Sequence, residues 1–161
     1  MKGIYLVLGS NLGEKLSSLK YAEKRISESI GGIINRSFYY ETEPWGYYQQ
    51  PVFLNQAIQI ETELDPYQLL IQLNSIEKEM GRVRYIKWHE RVIDIDILYY
   101  HDLVIKSEQL TIPHPEIPNR LFVLAPLNDI AADELHPESG KTQRELLLAC
   151  KDNLNVKKLV I

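Results

Sequence analysis

Cysteine is almost missing from this sequence: Cys150 stands alone among 161 residues. That excludes an intramolecular disulfide framework and a cysteine-based structural zinc site. Long apolar runs are missing too. The first, Ile4 to Leu8, stops at Gly9-Ser10-Asn11, far short of the roughly 20 residues a helix needs to cross a bilayer. The opening stretch also lacks the layout of a secretory signal. Basic residues are not in excess: 18 Lys and Arg against 22 Asp and Glu leave a formal net charge of −4, so there is no footprint for a long nucleic acid. No internal repeat and no low-complexity segment breaks the chain. What remains is an ordinary globular composition, long enough to bury its own core. The expectation is one soluble, cytoplasmic domain over residues 1–161, a monomer, with neither nucleic acid nor membrane as partner.

The order of elements is legible from periodicity and breakers. Ile4 to Leu8 reads as a strand, and Leu16, Leu19, Ala22, Ile26 and Ile30 follow at helical spacing. Gly31-Gly32 is expected to end that helix in a left-handed turn. Ile33 to Tyr40 reads as one strand and Phe53 to Glu61 as another, separated by the Pro- and Gly-containing loop 43–51. Asp65-Pro66-Tyr67-Gln68 has the residues of a capping box with Pro at the first helical position. Leu69, Leu70, Leu73, Ile76 and Met80 form the stripe of that helix, and Val92 to Tyr100 is a further strand. Strand, helix, strand, strand, helix, strand is the ferredoxin-like βαββαβ order, an α+β fold with an antiparallel sheet flanked by helices. A hairpin across Lys106-Ser107-Glu108, then helices near 120–132 and 142–151, are expected to extend it.

Chemistry concentrates in WHERVIDIDILYY, residues 88–100. On a strand Asp94 and Asp96 share one face, their Cα atoms about 6–7 Å apart, while Ile93, Ile95 and Ile97 fill the other. Paired carboxylates repel, and aspartate is depleted in strands. A magnesium ion, hard and oxygen-seeking, would remove the conflict; a wet strand face that merely carries Asp would also account for the pair. Arg82, Arg84, Lys87 and Arg91 crowd the ten residues before it, and cations beside a metal-loaded acid pair suit a polyphosphate better than a solvated loop. Gly9 to Lys15 is no Walker A loop: three residues separate its glycines and Leu16 follows the lysine. It reads as a tight strand-to-helix turn lining a pocket. His114, held between Pro113 and Pro115, could aim its imidazole at a phosphate. His89, His101 and His136 show no metal-ligand spacing. Asn55, on the same strand face as Phe53, could hydrogen-bond a polar heterocycle. Cys150, in an apolar stretch, is expected to be buried and inert.

Taken together these residues form a resemblance. Gly81-Arg82-Val83-Arg84, Trp88 and Arg91-Val92-Ile93-Asp94-Ile95-Asp96 resemble the 6-hydroxymethyl-7,8-dihydropterin pyrophosphokinase family of folate biosynthesis. Gly9 to Gly13, Glu41-Thr42-Glu43-Pro44, Phe53-Leu54-Asn55, Pro113-His114-Pro115 and Arg120 to Leu124 fall in the same order as in that family. The resemblance implies a single pyrophosphokinase domain that moves pyrophosphate from ATP to the pterin hydroxymethyl group and releases AMP. It implies two Mg2+ ions on Asp94 and Asp96, with Arg82 and Arg91 steadying the phosphates. Glu77, Arg84, Trp88, Ile97, Gln109, Thr111, His114 and Arg120 would lie on the ATP side. Phe53 and Phe122 would stack on the pterin, while Asn55 and the segment Thr42, Glu43, Pro44, Trp45 read its edge. Loops 43–51 and 82–91 would close over the reactants. Glu43, Phe53, His89 and Gln109 depart from the family's usual residues. Two other readings share these motifs: a non-catalytic ligand-binding module, and a two-metal nucleotidyltransferase releasing pyrophosphate.

Overall fold

The computed structural model describes residues 1–81 and 90–161. The first half comprises β1 (Ile4–Ser10), α1 (Lys15–Ser29), β2 (Ile33–Arg36), β3 (Tyr39–Thr42), β4 (Phe53–Ile60) and α2 (Pro66–Glu79). The second comprises β5 (Asp94–Tyr100), the short strands β6 (Ile105–Lys106) and β7 (Thr111–Ile112), α3 (Leu121–Ala131), α4 (Gln143–Ala149) and β8 (Val156–Leu159). This is an α+β fold around one antiparallel sheet.

The sheet runs β5-β1-β4-β3-β8, with β2 also on β4. Every residue of β1 is buried because helices cover both of its faces. Ile4, Leu6 and Leu8 join Leu19 and Ile26 of α1 and Leu69, Leu73 and Ile76 of α2 in one apolar cluster. Tyr5 and Val7 point the other way, onto Val123, Leu124 and Leu127 of α3 and Leu146 of α4. A strand covered on both faces must be apolar at successive positions, which is why Ile4 to Leu8 shows no alternation. The capping box of α2 forms as its residues require: Asp65 Oδ1 accepts from the N–H of Tyr67 and Gln68, and Gln68 Oε1 accepts from Asp65 N–H.

Three elements differ from the sequence reading. The expected strand 33–40 is two strands, because β4 faces Arg36 with Ile58 but Tyr40 with Asn55, which leaves one extra residue between them. Ser37 sits in that bulge; its hydroxyl accepts from Ala57 N–H at 2.9 Å and donates to the Phe38 carbonyl at 2.6 Å. Gly31 is not the left-handed cap, since the glycines with positive φ are 13, 46, 81 and 140. Its lack of a side chain serves close packing instead: a Cβ there would collide with the Glu61 carbonyl oxygen. Finally, Val156–Leu159 adds a strand to β3. No element is expected there from the sequence; Lys158 Nζ reaches Asp129 at 2.9 Å and lies 4.1 Å from the Phe38 ring centroid. Cys150 is half-buried rather than buried, at the rim of the second cluster.

Candidate active site

The site follows from strand order. β1 lies between β4 and β5 and is antiparallel to both. Its C-terminal end therefore meets the N-terminal ends of its two neighbours: Gly9 faces Asn55 on one side and Asp94 on the other, and Val7 faces Asp96. Phe53 and Asn55 share a sheet face with Val7, Gly9, Asp94 and Asp96, lining one cleft with them. The start of α3 brings Arg120 and Phe122 to that cleft, and the segment before β4 brings Thr42, Glu43 and Trp45. The cleft holds a cavity of about 60 Å³ and opens to solvent.

Its floor is shaped by an absence. A Cβ on Gly9 would lie 2.5 Å from Asn55 Oδ1 and 3.7 Å from the Phe53 ring. Glycine thus leaves a flat slot beside the Asn55 amide. Asn55 is buried, and its Nδ2 donates to Thr42 Oγ1 at 2.7 Å. Fixing the amide in this way defines where its carbonyl oxygen sits. Phe53 and Phe122 are only partly buried and wall the slot with their rings. The Arg91 guanidinium lies 5.9 Å from the Phe53 ring centroid, and that of Arg120 lies 4.4 Å from Trp45 and 5.6 Å from Phe122. Planar cations over these rings mark them as surfaces suited to flat, electron-poor groups.

A second cleft, of about 210 Å³, lies on the other side of β5. Ile97, Gln109, Thr111 and His114 line it, with Leu70 and Asn74 of α2, Leu110 and Pro115. Asp94 and Asp96 line both clefts, and so stand where the two meet. Asn74, which follows Leu70 by one helical turn and is exposed, carries no motif that would single it out in the sequence.

Charge is arranged accordingly. Arg91 Nη1 donates to Asp94 Oδ2 at 2.7 Å, a charge-assisted bond that offsets the repulsion between the two carboxylates. Burial lowers the pKa of Arg120, against the raising effect of Asp96, Glu116 and Asp94. Burial also takes His114 down to about 4, helped by the nearby Arg120 charge, so the imidazole is neutral at pH 7. His114 Nδ1 accepts from Glu116 N–H at 3.2 Å, which assigns the proton to Nε2 and makes that edge a donor.

Glu77 and Pro44 line neither cleft and are buried. Glu77 Oε1 accepts from Ile95 N–H at 2.7 Å, between the two aspartates. Arg82, Arg84 and Trp88 lie outside the described residues. Among the described residues no group of three or more His, Cys, Asp or Glu converges as a metal site, and no helix is long and apolar enough to cross a membrane. Two half-exposed carboxylates, with no third protein ligand beside them among the described residues, fit an ion that keeps waters and takes substrate phosphates, as Mg2+ does.

Comparison with known proteins agrees with this geometry. Residues 5–132 match the sequence profile of the family described as 7,8-dihydro-6-hydroxymethylpterin-pyrophosphokinase (HPPK). The 2-amino-4-hydroxy-6-hydroxymethyldihydropteridine pyrophosphokinase of Haemophilus influenzae is 45% identical over 136 residues, 84% of this chain and 85% of that protein. Its namesake in Bacillus subtilis is 39% identical over 158 residues, 97% of this chain and 95% of that protein. A folic acid synthesis protein of Pneumocystis carinii is 42% identical over 139 residues, but the chain spans only 19% of its length. Among solved structures, a Plasmodium falciparum HPPK-DHPS triple mutant with pteroate superposes with a TM-score of 0.75 at 20% identity, covering 90% of this chain and 42% of that one. That likeness extends to the fold. On the profile match and the near full-length relatives, this chain belongs to the HPPK family of pyrophosphokinases.

Proposed function

We propose that this chain transfers pyrophosphate from ATP to the hydroxymethyl group of 6-hydroxymethyl-7,8-dihydropterin, releasing AMP, with the aromatic cleft taking the pterin and the second cleft taking ATP. The observation that carries this division is the position of Asp94 and Asp96, the only residues lining both clefts among those described. A transfer between two bound molecules needs its charge-handling groups at their boundary, and that is where the acids stand.

In this reading Phe53 and Phe122 hold the flat pterin by stacking, and Asn55 reads its hydrogen-bonding edge beside Thr42, Glu43, Pro44 and Trp45. Ile97, Gln109 and Thr111 face the nucleoside. His114, neutral with its proton on Nε2, donates to a phosphate oxygen, and Arg120, which lines the aromatic cleft, adds a cation near the acid pair. Asp94 and Asp96 hold two Mg2+ ions, which when bound neutralise phosphate charge. The hydroxymethyl oxygen attacks the β-phosphorus, and the bond from that phosphorus to the oxygen bridging it to the α-phosphorus breaks, so AMP departs with that oxygen. No side chain acts as nucleophile; the protein's contribution is position and electrostatics. Arg82 and Arg91 steady the phosphates, with Arg84 and Trp88 in the same closing segment, and Glu77 supports the ATP side through β5. With β2 and β3 counted as one strand, β1 to β5 and the two helices between them are read as a ferredoxin-like βαββαβ unit extended by the short β6–β7 hairpin, α3, α4 and β8. We take residues 1–161 to be one monomeric, cytoplasmic domain.

The test is product identification. With MgATP and the dihydropterin, wild type is expected to release AMP and form the pterin diphosphate, and Asp96→Ala to form neither. Pyrophosphate release would point to a nucleotidyltransferase, and binding without turnover or metal dependence to a ligand-binding module; either outcome removes this reading.

A further inference from the structure

Asn11, the residue just past β1, touches the lip of the aromatic cleft and the segment entering β5 at once. It is buried at 2% exposure. Its Oδ1 accepts from Arg91 N–H at 2.9 Å, and its backbone N–H donates to the Arg91 carbonyl at 3.2 Å. Its Nδ2 donates to Gln50 Oε1 at 2.9 Å and to the Pro51 carbonyl at 3.1 Å. One planar amide therefore joins two segments 39 and 80 residues away in the chain.

Both segments continue into the site. Pro51 leads through Val52, whose carbonyl accepts from Lys15 Nζ at 2.9 Å, to the Phe53 ring. Arg91 carries the guanidinium bonded to Asp94. We infer that Asn11 is a positioning residue that couples occupancy of the aromatic cleft to the placement of Arg91 at the acid pair, so that each substrate strengthens binding of the other. This rests on the assignment of pterin and ATP to the two clefts made above.

The chemistry requires asparagine. An aspartate could still accept from Arg91 N–H, but it cannot donate to Gln50 or Pro51 and would set a buried carboxylate against two oxygens. An alanine makes neither set of side-chain bonds. Because linkage is reciprocal, a coupling carried by Asn11 must appear equally in both affinities.

The test is calorimetric titration of the intact protein with Mg2+ and a nonhydrolysable ATP analogue, with the pterin, and with each in the presence of the other. Wild type is expected to show mutual strengthening of at least fivefold, the lower end of the usual roughly 5–150-fold range. In Asn11→Ala, Asn11→Asp and Gln50→Ala that factor is expected to fall to within about twofold of unity, while the affinity for analogue alone stays within about threefold of wild type. A purely structural role would lower the melting temperature and both single affinities together and leave the factor intact. Wild-type coupling that survives in Asn11→Asp and Gln50→Ala overturns the inference, and if Asn11→Ala does not fold these two variants decide it. A wild type that binds both ligands independently and still releases AMP also overturns the inference, yet leaves the functional reading standing. A wild type that binds neither ligand removes the functional reading and the inference with it.

Discussion

The carboxylate of Glu77 accepts the backbone N–H of Ile95, the residue between Asp94 and Asp96, at 2.7 Å. A helix thus holds the strand at the point where both acids leave it. Glu77 is itself 1% exposed, so its oxygens need such hydrogen-bond donors in place of water. Glu77→Ala removes this acceptor from a buried amide and should cost about 1–3 kcal/mol. The expected outcome is a lower urea midpoint and a lower kcat, with Glu77→Gln, which keeps an acceptor oxygen, losing less of both. A wild-type midpoint and kcat in the alanine variant would show that Glu77 does not position β5.

Gly9 tests the floor of the aromatic cleft. In Gly9→Ala the new methyl arrives 2.5 Å from Asn55 Oδ1, so either the amide turns away from Thr42 or the slot narrows. The pterin KM is expected to rise about tenfold or more, equivalent to about 1.4 kcal/mol. The ATP KM should stay within about twofold, because Gly9 does not line the second cleft. Equal changes in both constants would mean that the substitution disturbs the sheet rather than the slot.

Arg91 and a divalent cation compete for the same carboxylate. The Arg91 bond to Asp94 at 2.7 Å must loosen or rearrange when a cation takes that oxygen. Arg91→Ala should therefore lose transfer activity yet bind free Mg2+ more tightly, by about tenfold. A larger Mg2+-induced rise in melting temperature than in wild type is the readout, since ligand binding to the native state stabilises it by mass action. An equal or smaller rise would argue against Asp94 as a metal ligand.

His114 predicts how the metal-free protein responds to acid. Its native pKa is about 4 against 6.5 when unfolded, chiefly through burial, with the Arg120 charge lowering it further and Glu116 and Asp94 pulling the other way. Between those values the unfolded chain binds more protons than the native one, so stability falls as pH drops from about 6.5 and the loss is complete below about 4. The magnitude is on the order of 3 kcal/mol. Denaturant midpoints across this window, with His114→Asn for comparison, should show a shallower fall in the variant. Parallel curves would assign the acid sensitivity elsewhere.

Much of the site could be read from residues close together in the chain. Asp94 and Asp96 on one strand face, the proline-framed His114 and the Phe53/Asn55 pair all depend on local periodicity or local stiffness. Each lines one of the two clefts. Where the reading missed, the cause was nonlocal. Gly31 is demanded by the carbonyl of Glu61 across a packing contact, the bulge at Ser37 by its register against β4, and β8 by an open edge on β3 that four residues with two lysines cannot announce.

The sequence by itself determined the alternation that puts two acids on one face of a strand, the caps and breakers that delimit the helices, and the family to which those motifs point. All of these act over a few bonds, through backbone geometry and side-chain volume. Only the tertiary structure decided that β1 runs antiparallel between β4 and β5, so that Gly9, Asn11, Phe53, Arg91 and Asp94 converge from distant parts of the chain. Sheet pairing satisfies hydrogen bonds between segments whose separation in sequence carries no record of the pairing, and the clefts exist only once it has formed.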